Sequence, residues 1–180
     1  MRFRTRWAVT ADIPRIDTLM RLAIDRLQDA FLSPEQVVAS RAFMGLDTQL
    51  VTDGTYLLAE TETGELAGCG GWSFRATLYG GDHTAAQRDP ALLDPATAPA
   101  RIRAMYTHPG FARRGVGRLI LETCERAAAE RGFREAEMMA TLSGEPLYRA
   151  CGYQPVERSE AVADGVAVPL IRMRRPLGAS

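Results

Sequence analysis

Thr107-His108-Pro109-Gly110-Phe111-Ala112-Arg113-Arg114-Gly115-Val116-Gly117-Arg118 joins two periodicities. Before it, Arg101-Ile102-Arg103-Ala104-Met105-Tyr106-Thr107 reads as a strand that ends at His108-Pro109-Gly110. After it, a helix is predicted from about Gly117 to Arg131, burying Ile120, Cys124 and Ala128 and stopped by Gly132. A strand that passes into a helix through a glycine-containing, doubly basic turn is a place for anions. Glycine admits positive φ and close backbone approach, so N–H groups converge where the helix dipole already favours negative charge. Arg113 and Arg114 add permanent charges suited to phosphate oxygens. Dinucleotide binding competes at this point, because Glu135 lies near the place of a ribose-binding acid. The fingerprint fails at its third glycine, where Ile120 stands.

Upstream, Phe3, Thr5, Trp7 and Val9 alternate with arginines, predicting a strand with one buried face. Thr10 or Asp12 caps a helix with Pro14 in its first turn and Ile13, Ile16, Leu19, Met20, Ala23 and Leu27 as its stripe. Ser33-Pro34-Glu35-Gln36 is a capping box that starts a second helix reaching about Gly45. Thr55 to Glu60 and Glu65 to Phe74 form a hairpin. Residues 76–100 lose periodicity, and so long a connection is functional or disordered. Downstream come a strand from Arg134 to Thr141, a short helix from Pro146 to Cys151 and a last hairpin turning at Asp164-Gly165. There is no repeat or linker, so 1–180 reads as a single domain with 76–100 as a long insertion.

The composition excludes several chemistries. All 22 basic residues are Arg, balanced by 22 acidic ones, and both Lys and Asn are absent. Without Lys there is no Schiff-base enzyme, no Walker A loop and no kinase strand lysine. A net charge of zero provides no field for nucleic acid or anionic lipid. No apolar run approaches the roughly 20 residues of a membrane span, and Asp12 and Pro14 interrupt the Arg-rich start too early for a secretory signal. Cys69, Cys124 and Cys151 lack ligand spacing, so no metal is expected and a reducing, cytoplasmic setting is.

The central turn resembles that of the GNAT superfamily of acyl-CoA-dependent N-acyltransferases. Met105, Thr107 and Pro109 match its strand end, and Gly115 and Gly117 match its loop. Leu147-Tyr148-Arg149-Ala150-Cys151-Gly152-Tyr153 resembles the family's second block, in the right order and at the right separation. The resemblance implies a single α/β domain with a mixed, largely antiparallel sheet, splayed central strands and helices on both faces. It implies acetyl-CoA as co-substrate, with the backbone of Met105, Tyr106 and Thr107 facing the pantetheine and residues Ala112, Arg113, Arg114, Gly115, Val116, Gly117 and Arg118 holding the pyrophosphate. Tyr148 would protonate the departing thiolate. The implied partner is a small-molecule amine, with no nucleic acid and no membrane, and a homodimer is left open.

This chain departs from the pattern in three places. Ala112 replaces a Gln or Arg, Thr141 or Ser143 stands where an Asn often contacts the pantetheine arm, and Arg101 and Arg103 stand where some members carry a Glu base. Glu60, Glu137 and Glu145 are candidate bases that read equally well as surface charges. His108 is positional. Asp82 and His83, in an insertion with Gly80 and Gly81 as hinges, are candidates for binding the amine or relaying its proton. A noncatalytic acyl-CoA-binding sensor on the same fold is the alternative to an N-acetyltransferase.

Overall fold

A computed structural model describes residues 2–84 and 88–178. Seven strands form one sheet: β1 (Phe3–Trp7), β2 (Tyr56–Thr61), β3 (Leu66–Ser73), β4 (Ala100–Thr107), β5 (Glu135–Thr141), β6 (Gln154–Ala163) and β7 (Val166–Pro176). Their order is β1-β2-β3-β4-β5-β7-β6, antiparallel except between β4 and β5. That parallel ladder holds only Ala100↔Ala136 and Arg101↔Glu137. Beyond Arg101, the β5-facing edge of β4 has no strand partner among the described residues, and the centre of the sheet splays open. The fold class expected from the sequence is the one observed.

Helices α1 (Ile13–Leu27), α2 (Pro34–Ser40), α3 (Thr48–Thr52), α4 (Val116–Glu130) and α5 (Glu145–Ala150) surround the sheet. The α1 stripe of Ile16, Leu19, Met20, Ala23 and Ile24 packs on one face with Leu58, Cys69 and Tyr106. On the other, Val116, Ile120, Cys124 and Ala128 of α4 pack with Ala67, Ile102 and Met138. This packing requires glycine at position 70, where a Cβ would lie 2.2 Å from Met105 Sδ and 2.9 Å from Ile120 Cγ2.

Three expectations need correction. β1 has no buried face: it is an edge strand, four of its five residues are exposed, and Trp7 keeps 39% of its surface. The second helix has its capping box, with Gln36 N 3.2 Å from Ser33 Oγ, but it ends at Ser40 instead of Gly45. Ser40 Oγ donates to Val37 O at 2.7 Å, and the chain tightens so that Phe43 N and Met44 N both donate to Ser40 O. A third helix, α3, follows, capped by Asp47 accepting from Gln49 N at 3.1 Å.

The insertion is tied down on both sides of residues 85–87, which lie outside the described residues. Ala76 N donates to Ala91 O, Thr77 N to Asp89 O and Leu93 N to Phe74 O, so the two arms pair like a short hairpin. Arg75 binds Asp53 through two bonds of 2.7 and 2.8 Å. The final turn is as expected, with Asp164 and Gly165 both left-handed at φ +50° and +77°.

Candidate active site

The splay opens into a cleft of about 760 Å³ walled by the C-terminal half of α1, the end of β4, the first turn of α4, and α5. Met105, Tyr106, Thr107, Ala112, Arg113, Gly115, Val116, Gly117, Arg118 and Tyr148 line it. Arg113 (φ +64°) and Gly115 (φ +84°) are both left-handed, and Gly115 is the N-cap of α4. The first-turn N–H groups of α4 have no intrahelical acceptor, so the turn presents donors and a positive dipole end to the cleft. Arg114 does not line the cleft; its guanidinium sits 5.8 Å from the centre of the Phe111 ring. Arg118 reaches Ala150 O at 3.5 Å and pairs with Glu122 at 3.7 Å. His108 is positional, its Nδ1 accepting from Gly110 N at 3.0 Å.

A β-bulge sets the geometry of β4. Cys69 faces Tyr106 and Gly71 faces Arg103, so Ala104 and Met105 together oppose Gly70. Ala104 takes φ +50°, and its carbonyl accepts from the buried Tyr56 hydroxyl at 2.8 Å. The extra residue turns Met105 towards α4 while Arg103 and Tyr106 both face away from it. Tyr106 Oη accepts from Gly45 N at 3.0 Å, anchoring the link between α2 and α3.

Tyr148, on α5, is only 8% exposed and stacks edge-on against Tyr153 with ring centres 6.1 Å apart. Burial raises its pKa above the ordinary phenol value, so the hydroxyl holds its proton at neutral pH. Thr141 Oγ1 and Ser143 Oγ, 3.0 Å apart, lie on the same wall.

Tyr148 also lines a second, smaller chamber of about 90 Å³ that shares Met44, Met105, Tyr106 and Thr141 with the cleft. Sequence reasoning missed Phe43, Gly45, Met138, Met139 and Leu170 of its wall. Leu78, Tyr79 and Gly80 of the insertion and Ile102, Arg103 and Ala104 of β4 line it too. Gly80 is not a free hinge, since its carbonyl accepts from Arg103 Nη2 at 2.8 Å. The same guanidinium binds Asp47 Oδ2 at 2.8 Å and Thr77 O at 3.3 Å, with Arg103 3% and Asp47 4% exposed. An arginine in an otherwise inward-facing strand was the available signal for this clamp.

The candidate acceptor residues and bases are engaged elsewhere. Asp82 Oδ1 accepts from Thr48 N and Thr48 Oγ1 at 3.0 Å each and from Arg88 at 2.9 Å, which makes it a cap for α3. His83 Nε2 lies 3.0 Å from Arg41 O, and neither residue lines the chamber. Glu60 pairs with Arg6 and Arg15, and Glu145 with Arg149 and Arg158. Glu137 is not a surface charge: it is 2% exposed and held by Arg101, Arg172 and Arg174. Among the described residues, no three or more His, Cys, Asp or Glu side chains gather to hold a metal, and no helix is long and apolar enough to cross a membrane.

Comparison with known proteins agrees with this geometry. The family model "Acetyltransferase (GNAT) domain" matches residues 52–155. A GCN5-related N-acetyltransferase (aminotransferase, class II) from Rhodopseudomonas palustris superposes with a TM-score of 0.71 at 18% identity, covering 97% of this chain and 95% of that one. A phosphinothricin acetyltransferase from Sinorhizobium meliloti, in complex with AcCoA, gives 0.64 at 20% identity over 99% and 90%. The PaiA N-acetyltransferase of Thermoplasma acidophilum, in complex with coenzyme A, gives 0.64 at 13% over 98% and 99%. At these identities the likeness is one of fold. No curated protein matches by sequence.

Proposed function

The chain belongs to the GNAT acetyltransferase family, and on that premise we propose that it transfers an acetyl group from acetyl-CoA directly to the amine of a small molecule. One observation carries the reading: a single cleft joins the anion-binding turn at α4, the unpaired edge of β4 and the Tyr148 hydroxyl. The residues fit the co-substrate. Arg113, Arg118 and the first-turn N–H groups of α4 offer charge and donors for a pyrophosphate. The open edge of Met105–Thr107 offers backbone groups for the pantetheine amides, which would otherwise lack partners.

Acetyl-CoA supplies an activated thioester. Tyr148 holds a proton beside the place where the thiol must form. Its raised pKa makes complete transfer to a thiolate uphill, so its first contribution is a hydrogen bond to the developing negative charge on sulfur. Thr141, Gly144 and Leu147 line the cleft beside it.

Free-thiol release from acetyl-CoA across a panel of amines tests the proposal, with Tyr148→Phe as the informative variant. CoA at a hundredfold excess over Kd should stabilise wild type and variant alike by about 2.7 kcal/mol. Turnover in the variant should fall about 10²- to 10⁴-fold. Binding without acceptor-dependent turnover in the wild type would instead make the protein an acyl-CoA sensor, and protection by NAD but not CoA would refute the assignment.

A further inference from the structure

We infer that the acceptor is a weakly basic amine that arrives uncharged, such as an alkoxyamine or hydrazine, because among the described residues no carboxylate or imidazole lines the chamber beside Tyr148 to take a proton from an ammonium ion. This rests on the acetyl-transfer reading and narrows its substrate class. The chamber is where a nucleophile can meet the thioester, since it joins the cleft at Tyr148, Met105 and Thr141. Met44, Met138 and Met139 share the wall with Tyr79, Thr141 and Tyr148, and among the described residues no carboxylate or imidazole lines it.

The charged groups on the elements around the chamber are held by one another: Asp82 by Thr48 and Arg88, Glu145 by Arg149 and Arg158, and Arg172 by Glu137 and Glu157. β4 contributes Arg103, already bound to Asp47, Thr77 O and Gly80 O. The carboxylate of Asp47 is held by Arg103 and by Arg88 at 3.0 Å. β5 carries Glu137, enclosed by three guanidinium groups and absent from the chamber wall. The hydroxyls of Tyr79, Tyr106 and Tyr148 donate and accept hydrogen bonds, and burial raises the pKa of Tyr106 and Tyr148 above the ordinary phenol value. The α2–α3 link contributes Phe43, Met44 and Gly45, none of which titrates. Across Gly45 lies His83, with Cε1 3.3 Å from where a Cβ on Gly45 would stand; it lines a neighbouring surface hollow instead. Ala85, Ala86 and Gln87 have no titratable side chain.

An ordinary alkylamine is neutral in only about one molecule in a thousand or fewer at pH 7. Its ammonium form would meet hydroxyl and carbonyl oxygens in the chamber but, among the described residues, no carboxylate or imidazole to take its proton. A weakly basic amine needs no such group, because it is neutral already. In the step itself the nitrogen lone pair forms the N–C bond to the acetyl carbon, and the C–S bond breaks with its electron pair left on sulfur. The nitrogen gives up one proton to water, and the thiolate, hydrogen-bonded by Tyr148 as it forms, takes one from water. The products are the amide and free CoA thiol.

Isosteric pairs test this: methoxyamine against ethylamine, and benzyloxyamine against phenethylamine, each with acetyl-CoA and the full chain, followed by thiol release and product mass. For the alkoxyamines kcat/KM should be flat between about pH 6 and pH 9, and for the alkylamines it should rise about tenfold per pH unit across that range. At pH 7 the alkoxyamine of each pair should lead by about 10²-fold or more. An alkylamine profile that levels off within this range would reveal a protein base. Levelling off, or an alkylamine as the better acceptor at pH 7, overturns the inference while leaving acetyl transfer intact. No thiol release from any of the four amines overturns both.

Discussion

Replacing Tyr56 by Phe tests whether the bulge in β4 is held in place or merely tolerated. The ring is only 1% exposed and stays in the variant, so no cavity forms. What disappears is the O–H that donates to Ala104 O at 2.8 Å, along with a hydroxyl 3.2 Å from the Cys69 sulfur. A carbonyl left without its donor costs about 1–3 kcal/mol when buried, and this one is partly buried. Ala104 already sits at φ +50°, where a residue with a Cβ is strained by about 1–2 kcal/mol. The hydrogen bond is therefore comparable in size to the strain it offsets. We expect a loss of about 2 kcal/mol in urea unfolding followed through the buried Trp72, with m unchanged, and a Tm lower by about 4–8 °C. Acetyl-CoA affinity should fall as well, because the bulge aims the Met105–Thr107 backbone at the cleft. Adding Ala104→Gly to the variant removes the strain and should recover about 1 kcal/mol. A Tm within about 1 °C of wild type, or a double variant no better than the single one, would refute the account.

Two further expectations follow from the ion pairs. Asp47→Asn keeps an oxygen for Gln49 N but leaves the Arg103 guanidinium buried with only carbonyl partners, which should cost about 3 kcal/mol in urea unfolding; because Arg103 also holds Gly80 O, acceptor KM should rise while acetyl-CoA affinity stays near wild type. The Arg6 guanidinium, bound to Asp12 by two bonds of 2.7 Å, holds that carboxyl down to about 2. The unfolded chain therefore takes up this proton first, so the stabilisation is complete above the ordinary carboxyl range and fades as pH falls towards about 2. With Arg6 41% exposed at its side chain, the difference between wild type and Asp12→Asn should be about 1–2 kcal/mol at neutral pH and close to zero near pH 2.

Element order was legible because each element declares itself locally. The α4 stripe, the Ser33 capping box and the Asp164-Gly165 turn are set by periodicity and backbone chemistry within a few residues, and all three appear in the structure. Misreadings arose where a face is decided by what lies across it. The alternation of β1 is real, but packing reaches only one end of it: Phe3 meets Phe111, while Trp7 stays partly in water. β5 alternates in the opposite sense: Ala136, Met138 and Ala140 face α4, which marks Glu135, Glu137 and Met139 as outward. The three arginines that bury Glu137 come from β4 and β7, 35 to 37 positions away, and no local pattern announces them.

The acceptor chamber was illegible for a sharper reason. In a regular strand, residues three apart point to opposite faces, so Arg103 and Tyr106 read as belonging to different sides of the sheet. They share a side only because Ala104 adds one residue to β4 opposite Gly70. Bulges of this kind are often marked by a glycine at the left-handed position, and here an alanine occupies it, with its cue displaced 48 positions to Tyr56. Arg103 fastens the insertion and Tyr106 fastens Gly45, so both mobile-looking links close over the chamber through that single extra residue. Sequence reading could name the strand and the cleft it borders, whereas the chamber depends on a register shift written nowhere in β4 itself.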